Sequence, residues 1–339
     1  MPARLAVQCR ALLSVSPSSA RALWLRPPNE SFIAEERLGP PAPGALTVCT
    51  RYTAVSRGTE TLVYTGRVPA SEYARMRAPF QAGELPGPVK HGYANVGVVE
   101  AGPDGWTGRH IFCLYPHQTR FHIDPASAVL LPDDVPPERA VLAANMETAV
   151  NALWDAGLGI GDRVTVIGAG VIGGLIAGLA VGTPGVDVEL VDIDERKRTL
   201  ADALGVAFSA PEHATRERDI VIHASATEAG LASAIGLAGF EATVLEMSWY
   251  GEQPVTVPLG GPFHSKRLTL RSSQVGAVSP GRRPRRDHGS RLALAVSLLN
   301  DARFDALIAP DVAFDTLPDV MARLADPDDA TLCQRIRYD

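Results

Sequence analysis

The chain has 339 residues, of which 46% are apolar and 21% charged, and carries a formal net charge of −6. That length exceeds one typical domain, so two are expected, each with enough apolar material for its own core. The acidic balance gives no electrostatic reason to expect nucleic acid or an anionic membrane as partner, and no stretch approaches the ~20 apolar residues of a membrane span.

Residues 1–20 read as a leader, either disordered or the product of an upstream start, because Gln8, Cys9 and Arg10 break the apolar core that a signal peptide needs. The four cysteines, Cys9, Cys49, Cys113 and Cys333, are scattered. With no C-x-x-C pair among them, a structural zinc and a disulfide framework are not expected, and a reducing cytoplasm is. From Ala22 to about Pro132 short β-prone runs alternate with Gly and Pro: ALTVCTRYTAV (45–55), NVGVVEA (95–101), HIFCLY (110–115) and FHIDP (121–125). These predict an irregular, mostly antiparallel β domain. Residues 132–157 switch to helical spacing, with Val135-Pro136-Pro137 as the start signal.

GIGDRVTVIGAGVIGGLIAGLAVG (159–182) reads as a buried strand, a Gly-rich turn and an apolar helix. VDVELVDID (186–194), RDIVIHASA (218–226) and ATVLEMSWYG (242–251) follow as strands, with RKRTLADALG (196–205) and LASAIGLAG (231–239) as helices between them. That alternation predicts an α/β fold with a parallel sheet covered on both faces. A basic loop, SPGRRPRRDHGS (279–290), and a helix, RLALAVSLLN (291–300), complete the pattern.

Gly168-Ala169-Gly170-Val171-Ile172-Gly173 forms G-x-G-x-x-G between strand and helix. Gly168 permits the tight turn, Gly170 lets backbone approach a pyrophosphate, and Gly173 lets helix and strand pack closely. The helix N-terminus at Val171 and Ile172 offers free N–H groups to the phosphates. Asp192 ends the next strand 24 residues after Gly168, where a carboxylate binds ribose hydroxyls and repels a 2′-phosphate. NAD(H) is therefore expected. Arg196 and Lys197 follow closely, so Lys197 is counted among the cofactor contacts and NADP(H) is kept as second choice.

VSRGTETLVYTG (55–66), GYANVGVVEAGPDGW (92–106), ETAVNAL (147–153), GDRVTVIGAGVIG (161–173) and VDIDERK (191–197) together resemble the medium-chain dehydrogenase/reductase superfamily, also called the zinc-type alcohol dehydrogenases. The resemblance implies a GroES-like β-rich catalytic domain over residues 21–146 and 276–339, a doubly wound Rossmann domain over 147–275, and an active-site cleft between them. It also implies hydride transfer with a small-molecule substrate in a homodimeric enzyme. Zinc members carry G-I-C-G-T-D and G-H-E where this chain has Val55-Ser56-Arg57-Gly58-Thr59-Glu60 and Gly92-Tyr93-Ala94. The ligand positions thus fall on Arg57, Tyr93, Ala94 and a residue near Ala144, and the cysteine-rich lobe is missing. No zinc is expected. S-R-G-T-E followed by G-Y-x-N-V-G looks most like the bacteriochlorophyllide-dehydrogenase-like branch.

The resemblance then assigns candidate roles, each with a structural alternative. Arg57 would stabilise an oxyanion or hold an anionic substrate, or pair with Glu60 to brace its loop. Tyr93 would be the general acid, or an aromatic filling the space left by zinc. Thr59 would relay a proton or cap a turn, while Leu62 stands where the longer relay has a histidine. His117 and His91 would serve in acid/base work or be structural. Thr148 would touch the nicotinamide end of the cofactor, and Ser248, Trp249 and Gln274 lie at strand ends facing the cleft. The run at 282–288 would either be a solvated loop or receive an acidic substrate group. The leading activity is zinc-independent oxidoreduction of a secondary alcohol or ketone. Reduction of a C=C bond, or NAD(H) binding without turnover, are the alternatives.

Overall fold

The computed structural model describes residues 19–339, and most of the expected leader lies outside them. The last two residues assigned to it, Ser19 and Ala20, already belong to the first strand. The described residues form two units, 19–144 with 308–339, and 145–307.

The first unit is β-rich. β1 (Ser19–Arg26) and β2 (Glu30–Arg37) form an antiparallel pair. β3 (Leu46–Val55) is rich in Val and Thr, residues whose branched side chains suit a pleated surface. It leads into α1 (Arg57–Tyr64). The short β4 (Ala82–Gly83) and β5 (Val89–Lys90) extend the first sheet to the order β2-β1-β5-β4. β6 (Asn95–Ala101), β7 (His110–Cys113) and β8 (Arg120–Ile123) follow, each on a run expected from the sequence, and β9 (Ala128–Leu130) comes after the last of those runs. The second sheet has the order β16-β17-β3-β6-β7-β9, where β16 (Ile308–Ala313) and β17 (Cys333–Arg337) come from the end of the chain, with β8 also pairing β3. Leu46, Val48, Val99, Ile111, Phe121 and Ile123 form a core here.

The helical stretch after Val135 is broken: α2 (Pro137–Ala140) is one turn, and α3 (Ala143–Ala156) starts afresh. In the second unit β10 (Arg163–Ile167), α4 (Val171–Ala180), β11 (Asp187–Val191), α5 (Arg198–Leu204), β13 (Arg218–His223), α6 (Glu228–Leu237) and β14 (Ala238–Glu246) alternate as expected, and two further short strands, β12 (Ala207–Ser209) and β15 (Thr269–Ser272), join them. The sheet is parallel throughout, in the order β12-β11-β10-β13-β14-β15. The chain winds outward from β10 in one direction and resumes from β13 in the other, so the switch point lies between these two strands.

Residues 276–307, expected in the β-rich domain, belong to this second unit. Arg291 on α7 (His288–Ser297) is buried and donates to Glu147 Oε1 at 3.0 Å and Asn151 Oδ1 at 2.6 Å. Leaving either partner of such a buried ion pair alone is strongly unfavourable, so α7 is tied to the unit that holds Glu147. Gly174 and Gly178 do the same for the following turn. A Cβ at either would lie 2.7 Å from Leu307 or Phe304, so their bare faces admit those side chains. The chain returns to the first unit as β16 (Ile308–Ala313), α8 (Leu317–Leu324) and β17 (Cys333–Arg337).

Candidate functional site

Two constellations lie where the sequence pointed, one in each unit. In the second, Gly168 turns the chain out of β10 at φ +106°. A Cβ at Gly173 would run into the Gly168 carbonyl oxygen, whereas one at Gly170 would meet nothing, leaving open space beside the first turn of α4. Asp192, just past β11, accepts the Ala169 N–H at 2.7 Å on one carboxylate oxygen and the Asp194 N–H at 2.9 Å on the other. Each oxygen keeps a lone pair for a ribose hydroxyl. Arg196 is committed to Asp194, its Nε 2.8 Å from Oδ1. Lys197 lies in the turn that precedes α5, and Thr148 on α3 is half-buried.

Ser248 accepts the Ala226 N–H at 3.0 Å, and exposed Gln274 accepts the Gly276 N–H at 2.7 Å. Trp249 is half-buried. In the basic loop Arg282 stacks 5.7 Å from the Trp154 ring centroid, and Arg283 donates to the Val278 carbonyl at 2.8 Å.

In the first unit, Glu60 on α1 and His117 are both fully buried, with His117 Nε2 3.0 Å from Glu60 Oε2. Because a carboxylate only accepts, Nε2 carries the hydrogen. The other ring nitrogen lies 2.7 Å from Thr53 Oγ1, which is 3.2 Å from the Tyr338 hydroxyl. Glu60 Oε1 accepts the Ser56 N–H at 2.8 Å. Burial alone would raise the Glu60 pKa, but His117, His91 and the Ser56 N–H outweigh it and hold the carboxyl below its ordinary value. Burial lowers the His91 pKa, against the pull of Glu60.

Tyr93 stands at the edge of this cluster, its ring edge-on to His91 at 6.0 Å. Burial and the Glu60 charge push its pKa up to about 12, while hydrogen bonds from the Ser56 and Thr59 hydroxyls oppose the rise. Thr59 and Tyr93, paired only by resemblance in the sequence, are thus in contact, and Ser56 joins them.

Arg57 is the exception. Its guanidinium donates to the carbonyls of Leu324 (3.2 Å), Asp326 (2.8 Å), Asp329 (2.5 Å) and Thr331 (3.3 Å). It clamps the chain that follows α8, and is neither a partner of Glu60 nor a cation aimed at Tyr93. His117 likewise is sealed behind Gly92 rather than presented to a reactant. The sequence reading took Glu60 only as a brace for Arg57, and gave no role to Ser56, Thr53 or Tyr338. For Glu60 a signal was present, since a carboxylate in an otherwise apolar helix face, TETLVY, needs a partner once buried.

Among the described residues no group of three or more His, Cys, Asp or Glu is placed to hold a metal ion, and no helix is long and apolar enough to cross a membrane. No family model matches the chain. It is 24% identical over 215 residues to an uncharacterized zinc-type alcohol dehydrogenase-like protein of Haemophilus influenzae, a match covering 58% of this chain and 57% of that relative. The match thus spans little more than half the length of that relative. Among solved structures, the short chain alcohol dehydrogenase of Escherichia coli CFT073 in complex with NADH superposes with a TM-score of 0.73. It is 15% identical, over 95% of this chain and all of that one. S. aureus TarJ in complex with NADPH gives 0.71 at 15% identity, over 95% and 99%. A β-rich unit interrupted by a Rossmann unit is the class that the fold defines. Within that class, the chain is similar in fold to these dehydrogenases.

Proposed function

We propose that the chain is a zinc-independent, NAD(H)-dependent oxidoreductase acting on a secondary alcohol or ketone of a small molecule. The observation that carries this reading is the Tyr93 hydroxyl, hydrogen-bonded to Ser56 and Thr59 beside the buried Glu60–His117 pair. With a pKa near 12 the phenol is protonated at neutral pH, the state in which it donates to a carbonyl oxygen. Ser56 and Thr59 then stabilise the phenol oxygen as charge develops on it, and the Glu60–His117 pair holds this corner rigid. A bound nicotinamide would supply the hydride. The bare turn at Gly168–Gly173 and the Asp192 carboxylate suit such a dinucleotide, and Asp192, with Arg196 tied to Asp194, favours NAD(H) over NADP(H).

Zinc does not suit the residues present. The corresponding positions carry Arg57, which is spent on four carbonyls, the phenol of Tyr93, and the methyls of Ala94 and Ala144. Deuterium-labelled NADH tests the reaction class. Label arriving at a carbinol carbon supports the proposal. Arrival β to a carbonyl reassigns the chain to C=C reduction, and no transfer across alcohols, ketones and enones, despite NADH binding, makes it a binding protein.

A further inference from the structure

The carboxyl ends of β13 and β14 carry a polar cluster with no part in the reading above. His223, fully buried, ends β13, with Nδ1 2.7 Å from Glu246 Oε2 and Nε2 2.7 Å from Ser225 Oγ. Ser225 Oγ lies 2.9 Å from Thr227 Oγ1, which accepts the Gly230 N–H at 3.1 Å. Glu246 also accepts the Tyr250 hydroxyl at 3.0 Å and the Ser248 N–H at 2.7 Å. Tyr250 is 3.4 Å from His223 Nδ1. At Gly230, in the first turn of α6, a Cβ would lie 2.6 Å from His223 Nε2 and 2.8 Å from Thr227 Oγ1, so the helix leaves room for the cluster.

The directions of these bonds follow from chemistry. The Glu246 carboxylate only accepts, so His223 Nδ1 carries a hydrogen, and in the neutral ring Nε2 is then an acceptor. Ser225 donates its hydroxyl hydrogen to Nε2 and accepts from the Thr227 hydroxyl, which leaves one lone pair to accept. The cluster's position is equally specific. A Cβ at Gly168 would lie 2.8 Å from both Ala224 C and Ser225 N, so the phosphate turn rests on the peptide that leads into Ser225. A dinucleotide with its pyrophosphate over that turn and one ribose at Asp192, beyond β11, must send its other nucleoside over β13.

We propose that Ser225 accepts a hydrogen bond from a hydroxyl of the second, nicotinamide-side ribose, and that His223, anchored by Glu246, is the positioning residue that keeps Ser225 an acceptor. The inference rests on the dinucleotide reading above. It is tested on the full chain by fluorescence titration with NADH and competition by ADP-ribose and ADP, the last lacking the second ribose. Ser225→Ala weakens NADH and ADP-ribose about tenfold, the scale of one lost hydrogen bond, and leaves ADP unchanged. His223→Gln weakens NADH in the same selective way, and the double variant is no weaker than Ser225→Ala, because both changes remove one interaction. If His223→Gln does not fold, Ser225→Ala decides alone. Equal NADH affinity in Ser225→Ala and the unaltered chain overturns the inference and leaves the dinucleotide reading standing, as does equal weakening of ADP. Failure of the unaltered chain to bind NADH, ADP-ribose and ADP overturns the dinucleotide reading itself.

Discussion

The His117 imidazole rests on the α-carbon of Gly92, where a Cβ would lie 2.6 Å from Cδ2 and 2.9 Å from Nε2. Gly92 also has φ +113°, in the region that disfavours side chains. Both facts put the glycine before Tyr93 in the service of the buried Glu60–His117 pair. Gly92→Ala therefore costs roughly 2–4 kcal/mol, from left-handed strain plus overpacking. Urea denaturation read by the signal of the β-rich unit checks this. A loss under ~1 kcal/mol, smaller than either effect, would show that His117 can move aside.

Tyr93→Phe removes the O–H and keeps the ring. Turnover falls at least ~100-fold, the lower end of general acid catalysis, with stability nearly unchanged. Since burial and Glu60 hold the phenol near 12, kcat/KM shows no alkaline limb from Tyr93 at pH 8–10 in ordinary assays. Near-normal turnover in Tyr93→Phe reduces the residue to packing.

Arg57→Ala unpins residues 324–331 by removing four hydrogen bonds to carbonyls. Arg57→Lys does not restore them, because an ammonium cannot span the planar fork that reaches all four. Both variants raise hydrogen exchange in residues 324–331. Loss of turnover with exchange unchanged would return Arg57 to the reaction.

Acid weakens the first unit in two steps with the same sign. His91 is held below its ordinary 6.5, so on acidification the unfolded chain takes up this proton first and stability falls from about pH 6.5 downward. Glu60 is held below its ordinary 4.5, so its contribution is present above that pH and is lost as pH falls through the folded value. The denaturation midpoint should thus drop from pH 6.5 to 4, with Glu60→Gln giving a shallower slope below 4.5. Parallel slopes in the two proteins would remove Glu60 from the account.

Asp192→Ala removes the acceptor offered to ribose hydroxyls and the charge that repels a 2′-phosphate. NADH binding weakens about tenfold or more, and the preference for NADH over NADPH narrows. An unchanged ratio of the two dissociation constants would mean that specificity lies elsewhere.

The parallel-sheet unit was legible because its signals are local. A strand, three glycines, an apolar helix and an acid at the next strand's end specify one another within about 30 residues, the span of a βαβ unit. The limit of that unit was not legible. RLALAVSLLN reads as a helix wherever it packs, and only the burial of Arg291 against Glu147, 144 residues away, assigns it to the second unit. Arg57 was misjudged for the same reason, its four carbonyls lying more than 260 residues downstream.

The sequence by itself determined the class of fold and the turn at Gly168–Gly173, both written in short-range spacing and residue type. Only the tertiary structure decided which charges meet. It gave Glu60 to His117, His223 to Glu246 and Arg57 to a loop, because a buried polar group is satisfied by whatever the fold brings within hydrogen-bond distance, and that choice leaves no local trace.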